Sequence, residues 1–251
     1  MTVVRRVAGL VVACVVVAGC GQAGQPGDPS SGSPSPSPSA TSAPPPASSG
    51  PSPSASEPSG SEPAEERHGI DVSHHQGVID WERVAADGIE FAYLKATEGR
   101  GFTDPRFATN AHQARAAGID VGGYHYYTLC APPLPQAEHF VAVLGEADLD
   151  LAPVVDLELI GNCDPPPEKA TLLAQVEAFI EEVEAATGEE VVVYFHPDFE
   201  DHYAMVEALE RPLWVRRVGE EPPPGEWHLW QRSDRGRVDG ITGPVDLDVM
   251  R

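Results

Sequence analysis

From residue 68 to its C-terminus the chain predicts an α/β fold, an eight-stranded β/α barrel of the modified TIM type, with about five strand–helix units and three closing strands. Three observations predict it. Short β-rich runs alternate with helical stretches, the β-rich runs number eight, and the last three follow one another with little helix between them. Alternation of this kind favours parallel early strands joined by helical crossovers, and eight strands fit closure better than an open sheet.

The elements follow in order. Gly69-Ile70-Asp71-Val72 is a strand, and Asp80 to Asp87 a helix. Phe91-Ala92-Tyr93-Leu94 is the second strand. The helix after it opens at Asp104-Pro105, an N-cap with proline at the first helical position, and closes at Gly118. Val121 to Tyr127 is the third strand, a helix lies within Leu134 to Leu144, and Ala152 to Glu158 is the fourth strand. Leu172, Leu173, Val176, Phe179, Ile180 and Val183 then recur at helical spacing and form one apolar stripe, with Glu181, Glu182 and Glu184 facing outward and Gly188 ending the helix. Val191 to Phe195 is a strand and Asp198 to Glu210 a helix. Leu213-Trp214-Val215, His228-Leu229-Trp230 and Val245-Asp246-Leu247 close the barrel.

In such barrels reactive groups collect at the C-terminal ends of the strands. The fourth strand is apolar until its end, where it presents Asp156 and Glu158, two residues apart and so on one face. Their carboxyl groups are expected roughly 5 to 8 Å apart, given the rise of a strand. Glycoside hydrolysis uses such a pair, although an isolated Asp-x-Glu is more often just a solvated strand end. Position strengthens the reading. Asp71 ends the first strand and Asp246 lies in the last, which closure makes neighbours, so four carboxylates ring one opening. Their mutual repulsion is expected to raise the pKa of at least one, and Glu158 is the candidate proton donor. Tyr124, His125 and Tyr126 after the third strand, Tyr194 after the fifth, and Trp230 and Gln231 on the seventh offer rings and amides suited to sugars, although core packing is the commoner role for any one ring. Trp81 and Trp214 are assigned to the core.

The N-terminal quarter reads differently. Arg5 and Arg6, the apolar run Val7 to Val17, and Val17-Ala18-Gly19-Cys20 have the form of an export signal over residues 1–20, too short to span a bilayer. Its end resembles a bacterial lipoprotein box, with valine at position 17 where leucine is commoner, which makes Cys20 the expected lipidated residue and membrane anchor. Residues 21–67 are dominated by Pro, Ser, Gly and Ala, cannot bury enough apolar surface to fold, and read as a tether with an extended reach on the order of 140 Å. Residues 68–251 form the single folded domain, expected to be a monomer. A net charge of −23 argues against a nucleic-acid partner, because such binding depends on Lys and Arg displacing counterions. Cys130 and Cys163 are the only cysteines in the folded domain. Export permits a disulfide between them, and two separately buried thiols are the other reading.

The motifs together resemble the lysozymes of glycoside hydrolase family 25. They are Gly69-Ile70-Asp71-Val72-Ser73 with His75-Gln76-Gly77 and Asp80-Trp81; Phe91 to Gly99; Gly123-Tyr124-His125-Tyr126; Pro153 to Glu158; Trp230-Gln231; and Gly240 to Leu247. Their order covers nearly the whole domain. The resemblance implies a β/α barrel, hydrolysis of the β-1,4 bond between N-acetylmuramic acid and N-acetylglucosamine in peptidoglycan, and no metal or other cofactor. It also implies Glu158 as proton donor, Asp156 as its partner, Asp71 and Asp246 as the other acidic positions, and Tyr124, Tyr126, Tyr194, Trp230, Gln231 and Lys95 as substrate-binding residues. Arg232, Asp248 and the run Val215-Arg216-Arg217 depart from the commonest pattern, and none of these is expected to touch the four acids.

Two further readings follow from the residues. A metal-dependent hydrolase could draw ligands from His74, His75, Asp71, Asp156 and Glu158. However, adjacent histidines on a strand point apart, and His112, His139 and His228 lack ligand spacing. A non-catalytic wall-binding barrel is the other, and retention of all four acids argues against it.

Overall fold

The structure, a computed structural model, describes residues 66–251. The export signal, Cys20 and residues 21–65 of the tether lie outside the described residues.

Strand β1 (Arg67–Val72) begins two residues before the strand read from the sequence, because Arg67 and His68 already pair with Met250 and Val249 of the last strand; the Arg67 guanidinium also meets Asp120 at 2.6 Å. Helix α1 (Trp81–Ala86) is capped by the Asp80 carboxylate, which accepts from the Arg83 N–H. After β2 (Phe91–Glu98) comes a two-residue strand β3 (Phe102–Thr103) that folds back antiparallel on its end. Helix α2 (Phe107–Ala116) starts two residues later than the Asp-Pro signal suggested. Asp104 caps no helix. It is buried, takes the Arg106 N–H on one oxygen and the His74 N–H on the other, and so ties two loops together. Strand β4 (Asp120–Tyr126), α3 (Pro133–Leu144), β5 (Val154–Leu157), α4 (Lys169–Thr187) and β6 (Val192–Phe195) follow. Helix α5 (Pro197–Tyr203) stops well short of Glu210. Ala204 takes a left-handed φ of 47°, the Glu200 carboxylate accepts from the Met205 and Val206 N–H groups, and a separate 3-10 turn covers Val206–Leu209. Strands β7 (Leu213–Arg216), β8 (Leu229–Gly236) and β9 (Val245–Met250) complete the chain.

Eight of these strands close a barrel in the order β1-β9-β8-β7-β6-β5-β4-β2, with β2 pairing back to β1. All neighbours are parallel except β9, which is antiparallel to both β8 and β1. Five helices follow the first five barrel strands in turn, which is the predicted count. Period-two alternation sorts the side chains into two cores. Ala92, Leu94, Val155, Leu157 and Val193 face the helices and share one core with the Leu172, Val176, Phe179, Ile180 and Val183 stripe of α4. Phe91, Tyr93, Val154, Val192, Tyr194, Trp214 and Met250 fill the barrel interior. The Tyr93 ring lies 5.0 Å from Trp214, and the strand position facing Tyr93 across the sheet is Gly122, whose hydrogen leaves room that a methyl would take from the ring. This plug of rings forms the floor on which the open end of the barrel rests.

Candidate active site

The inward-facing positions just above that floor carry the polar groups. In β5, Val154 and Asp156 point inward, and Glu158 follows one residue past the strand end. Register fixes their neighbours: Tyr126 on β4 and Tyr194 on β6 both lie level with Asp156, and Tyr124 lies level with Val154. Across the barrel, antiparallel pairing sets Asp71 opposite Asp246, and Arg216 on β7 lies level with Gln231 on β8. These residues line one cavity of ≈ 340 Å³, together with His196, Trp214 and Asp234.

Hydrogen bonds tie the wall into one unit. The Tyr194 hydroxyl donates to Gln231 Oε1 at 3.1 Å, and Gln231 Nε2 donates to Asp71 Oδ2 at 2.8 Å. Asp156 is only 8% exposed, and its Oδ1 is buried without a hydrogen-bond partner. Burial, then the charges of Glu158 and Asp71, push the Asp156 carboxyl well above the usual carboxylate range, with Lys95 pulling slightly the other way. Burial also raises Glu158, but His196, Arg216 and Lys95 counter it. Both carboxyls of the pair are therefore raised, and Glu158, one residue past the strand end, is the one that meets the countering fields of His196 and Arg216. Asp71 is raised by burial and by Asp246, and Asp246 by burial and by Asp234.

Asp71, Asp156, Glu158, Asp246, Tyr124, Tyr126, Tyr194 and Gln231 converge on the cavity. Trp230 and Lys95 do not line it. Trp230 neighbours Gln231 on β8, so the alternation that turns Gln231 inward turns Trp230 out, where it packs with Trp227 and Val249 and donates its indole N–H to the Arg217 carbonyl at 2.7 Å. Lys95 lies just beyond Tyr126, its ammonium 4.8 Å from that ring and 2.6 Å from Glu98, and acts on the acids only through its field. His125 likewise faces outward, fully buried between Thr97 and Gln136, and burial pushes its pKa down to about 3.

Two of the residues that depart from the family pattern bear on the acids. The buried Asp248 acts on Asp71 through its charge, and Arg216 lines the cavity and lowers both Glu158 and Asp246. His196 and Asp234 were missed, and Trp214, assigned to the core, both fills the interior and lines the cavity. Tyr194 points inward, so His196 two residues on was legible, as was Arg216 two residues after Trp214. Asp234 was not, because a register shift between Gln231 and Ser233 changes which side chains face in. His74 donates its backbone N–H to Asp104, and its ring Nδ1 meets the same carboxylate at 2.8 Å. Among the described residues no three His, Cys, Asp or Glu side chains gather as a metal site. Cys130 and Cys163 are joined as a disulfide, with Cα atoms 5.7 Å apart, and link the loops after β4 and β5.

A closed β/α barrel with paired acids at the C-terminal mouth of its strands has the groups that glycoside hydrolysis uses. Comparison with known proteins narrows this. Residues 70–241 match the family described as glycosyl hydrolases family 25. The chain is 35% identical over 196 residues to the uncharacterized protein YegX of Escherichia coli, covering 73% of this chain and 69% of that one. It is 34% identical over 192 residues to Lysozyme M1 of Streptomyces globisporus, covering 71% and 65% respectively. The crystal structure of a bacterial lysozyme from Streptomyces coelicolor aligns with a TM-score of 0.67 at 31% identity, over 75% of this chain and 94% of that one. The chain belongs to glycosyl hydrolases family 25.

Proposed function

We propose that the barrel hydrolyses the β-1,4 bond between N-acetylmuramic acid and N-acetylglucosamine in peptidoglycan, with Glu158 as proton donor and Asp156 as its partner. The observation that carries this reading is the buried, unpartnered Oδ1 of Asp156 beside Glu158 in the wall of the cavity. An acceptor of that kind suits the acetamido N–H of the sugar. Accepting that bond favours ionised Asp156, so the proton shared by the coupled pair passes to Glu158. Glu158 then protonates the glycosidic oxygen as its bond to C1 breaks, and the acetamido oxygen closes on C1 to give a cyclic oxazolinium, whose charge Asp156 stabilises. In the second half Glu158, now ionised, takes a proton from water while the water oxygen opens the ring at C1. The acetamide re-forms, Glu158 is again protonated, one water is consumed, and the anomeric configuration is retained. Tyr124, Tyr126, Tyr194 and Trp214 offer flat faces to the sugar C–H groups, and Gln231 holds Asp71 in the wall.

Mass spectrometry of fragments released from purified wall tests this. New reducing ends should be N-acetylmuramic acid. Reducing-end N-acetylglucosamine would refute the bond assignment, and release of no sugar would favour a wall-binding module. Unchanged release in a chelator would exclude the metal-dependent reading.

The same reading extends to the N-terminal region. Val17-Ala18-Gly19-Cys20 and the Ser-Pro-rich stretch behind it support an exported lipoprotein anchored at Cys20, with residues 21–67 as the tether that lets a monomeric domain sample the wall. In a bacterial host the protein should fractionate with membranes, and Cys20→Ala should release it. Equal solubility of the two forms, with no lipid on the wild type by mass, would overturn the anchor.

A further inference from the structure

Behind the five acids that line the cavity lies another that the mechanism above leaves without a task. Asp248 on β9 is 1% exposed. It lies level with Gln231 on β8 and with Gly69 on β1, two residues from Asp71 on the same strand. Its Oδ1 accepts from the Trp214 indole N–H at 3.1 Å, and its Oδ2 is buried with no donor to satisfy it. On the same inward face, two positions along, lies the Asp71 carboxyl, itself an acceptor for Gln231 Nε2. Two ionised carboxylates enclosed this close together repel, and a proton on one of them relieves the repulsion. The surroundings offer no other relief. The groups around Asp248 are Asp71 on β1, Tyr93 on β2, Trp214 on β7, Gln231 on β8 and Asp246 on its own strand, with no lysine or arginine among them. An ionised, unpaired carboxylate in such a place is strongly disfavoured, and a group so situated takes up a proton instead.

Resting on the hydrolase reading above, we infer that Asp248 is a neutral carboxylic acid that donates its proton to the Asp71 carboxylate, making it a positioning residue for the wall opposite Asp156 and Glu158. Asp71 has the better claim to the negative charge, because it already receives the Gln231 amide and reaches the cavity, whereas Asp248 is enclosed. Burial and the charges of Asp71 and Asp246 push Asp248 well above the usual carboxylate range, which agrees with the geometry. The Asp248 O–H and the Gln231 N–H then hold Asp71 from two sides, and Gln231 passes the restraint on to Tyr194. At sufficiently high pH the proton leaves, the two carboxylates repel, and the wall loosens.

The test compares the wild type with Asp248→Asn, whose amide can donate at every pH, and with Asp248→Leu, which cannot donate. Infrared spectra at neutral pH should show that the wild type has a protonated-carboxyl absorption that Asp248→Asn lacks. The sign for stability follows from a folded-state pKa raised above its unfolded value. The native state binds the extra proton, so wild-type stability falls as pH rises from the ordinary carboxylate range through the raised value, and the melting advantage of Asp248→Asn should widen along the same path. In kinetics, Asp248→Asn should keep kcat at neutral pH within about twofold and carry activity further into alkali, while Asp248→Leu should lose about tenfold or more at all pH values. An unchanged carboxyl absorption in Asp248→Asn, or melting curves for it and the wild type that run parallel in pH, would overturn the inference. The infrared and melting readouts need no substrate, so they stand apart from any failure of the hydrolase reading.

Discussion

Replacing Cys130 and Cys163 together by serine removes a link between two loops at the barrel mouth. The bridge joins residues 33 apart in sequence. The chain-entropy relation for a loop of that size gives about 3.7 kcal/mol at 25 °C, a ceiling because strain in the folded state subtracts from it. For a domain of this length each kcal/mol moves the melting midpoint by about 2–4 °C, so the double variant should melt about 7–15 °C lower than the oxidised protein. The site should survive the change at low temperature. Asn162 independently spans the same two loops, donating to the Tyr127 and Glu158 carbonyls and accepting from the Leu129 N–H at 2.8 Å. The assay is thermal unfolding of the exported domain, oxidised, reduced and as the double serine variant, with thiol labelling after denaturation. A fall of less than about 2 °C, or two free thiols in the native exported protein, would refute the reasoning.

Arg216 and Gly122 give two further expectations. Arg216→Gln removes a cation that holds down the Glu158 carboxyl, so Glu158 should keep its proton to higher pH, and the alkaline limb of kcat/KM should move upward. A limb that stays in place or moves down would contradict that role. Gly122→Ala places a methyl where the Tyr93 ring lies and should cost about 1–3 kcal/mol, read as a lower urea midpoint with unchanged slope. A midpoint equal to that of wild type would show that the interior has more room than the contact implies.

The barrel was legible because its pattern is repetitive: five strand–helix alternations and three closing strands leave few topologies, and α4 announced its buried face through Leu172, Val176, Phe179 and Val183. The acid pair was legible for the same reason, since strand parity alone puts Asp156 and Glu158 on one side. Parity also contained the correction for Trp230, because it cannot share a face with Gln231. What the sequence hid depends on contacts far apart in the chain. Asp104 reads as a helix cap but is taken by His74, thirty residues earlier. Helix α5 reads as continuous, but the Glu200 carboxylate accepts from the Met205 and Val206 N–H groups just past its end. Asp234 enters the cavity only through a register shift, and Asp248 reaches Asp71 only because β9 runs antiparallel beside β1. The field at Glu158 depends on His196, just past β6, and on Arg216 of β7, neither of which is near it in sequence.

The most direct test of the account is wall lysis by Glu158→Gln, which keeps the shape of the side chain and removes its proton. With folding confirmed by circular dichroism, turnover of purified peptidoglycan should fall by at least about 10²-fold, the lower range for loss of general-acid catalysis, and residual product should retain its anomeric configuration. Activity near that of the wild type would contradict the assignment of Glu158 as proton donor.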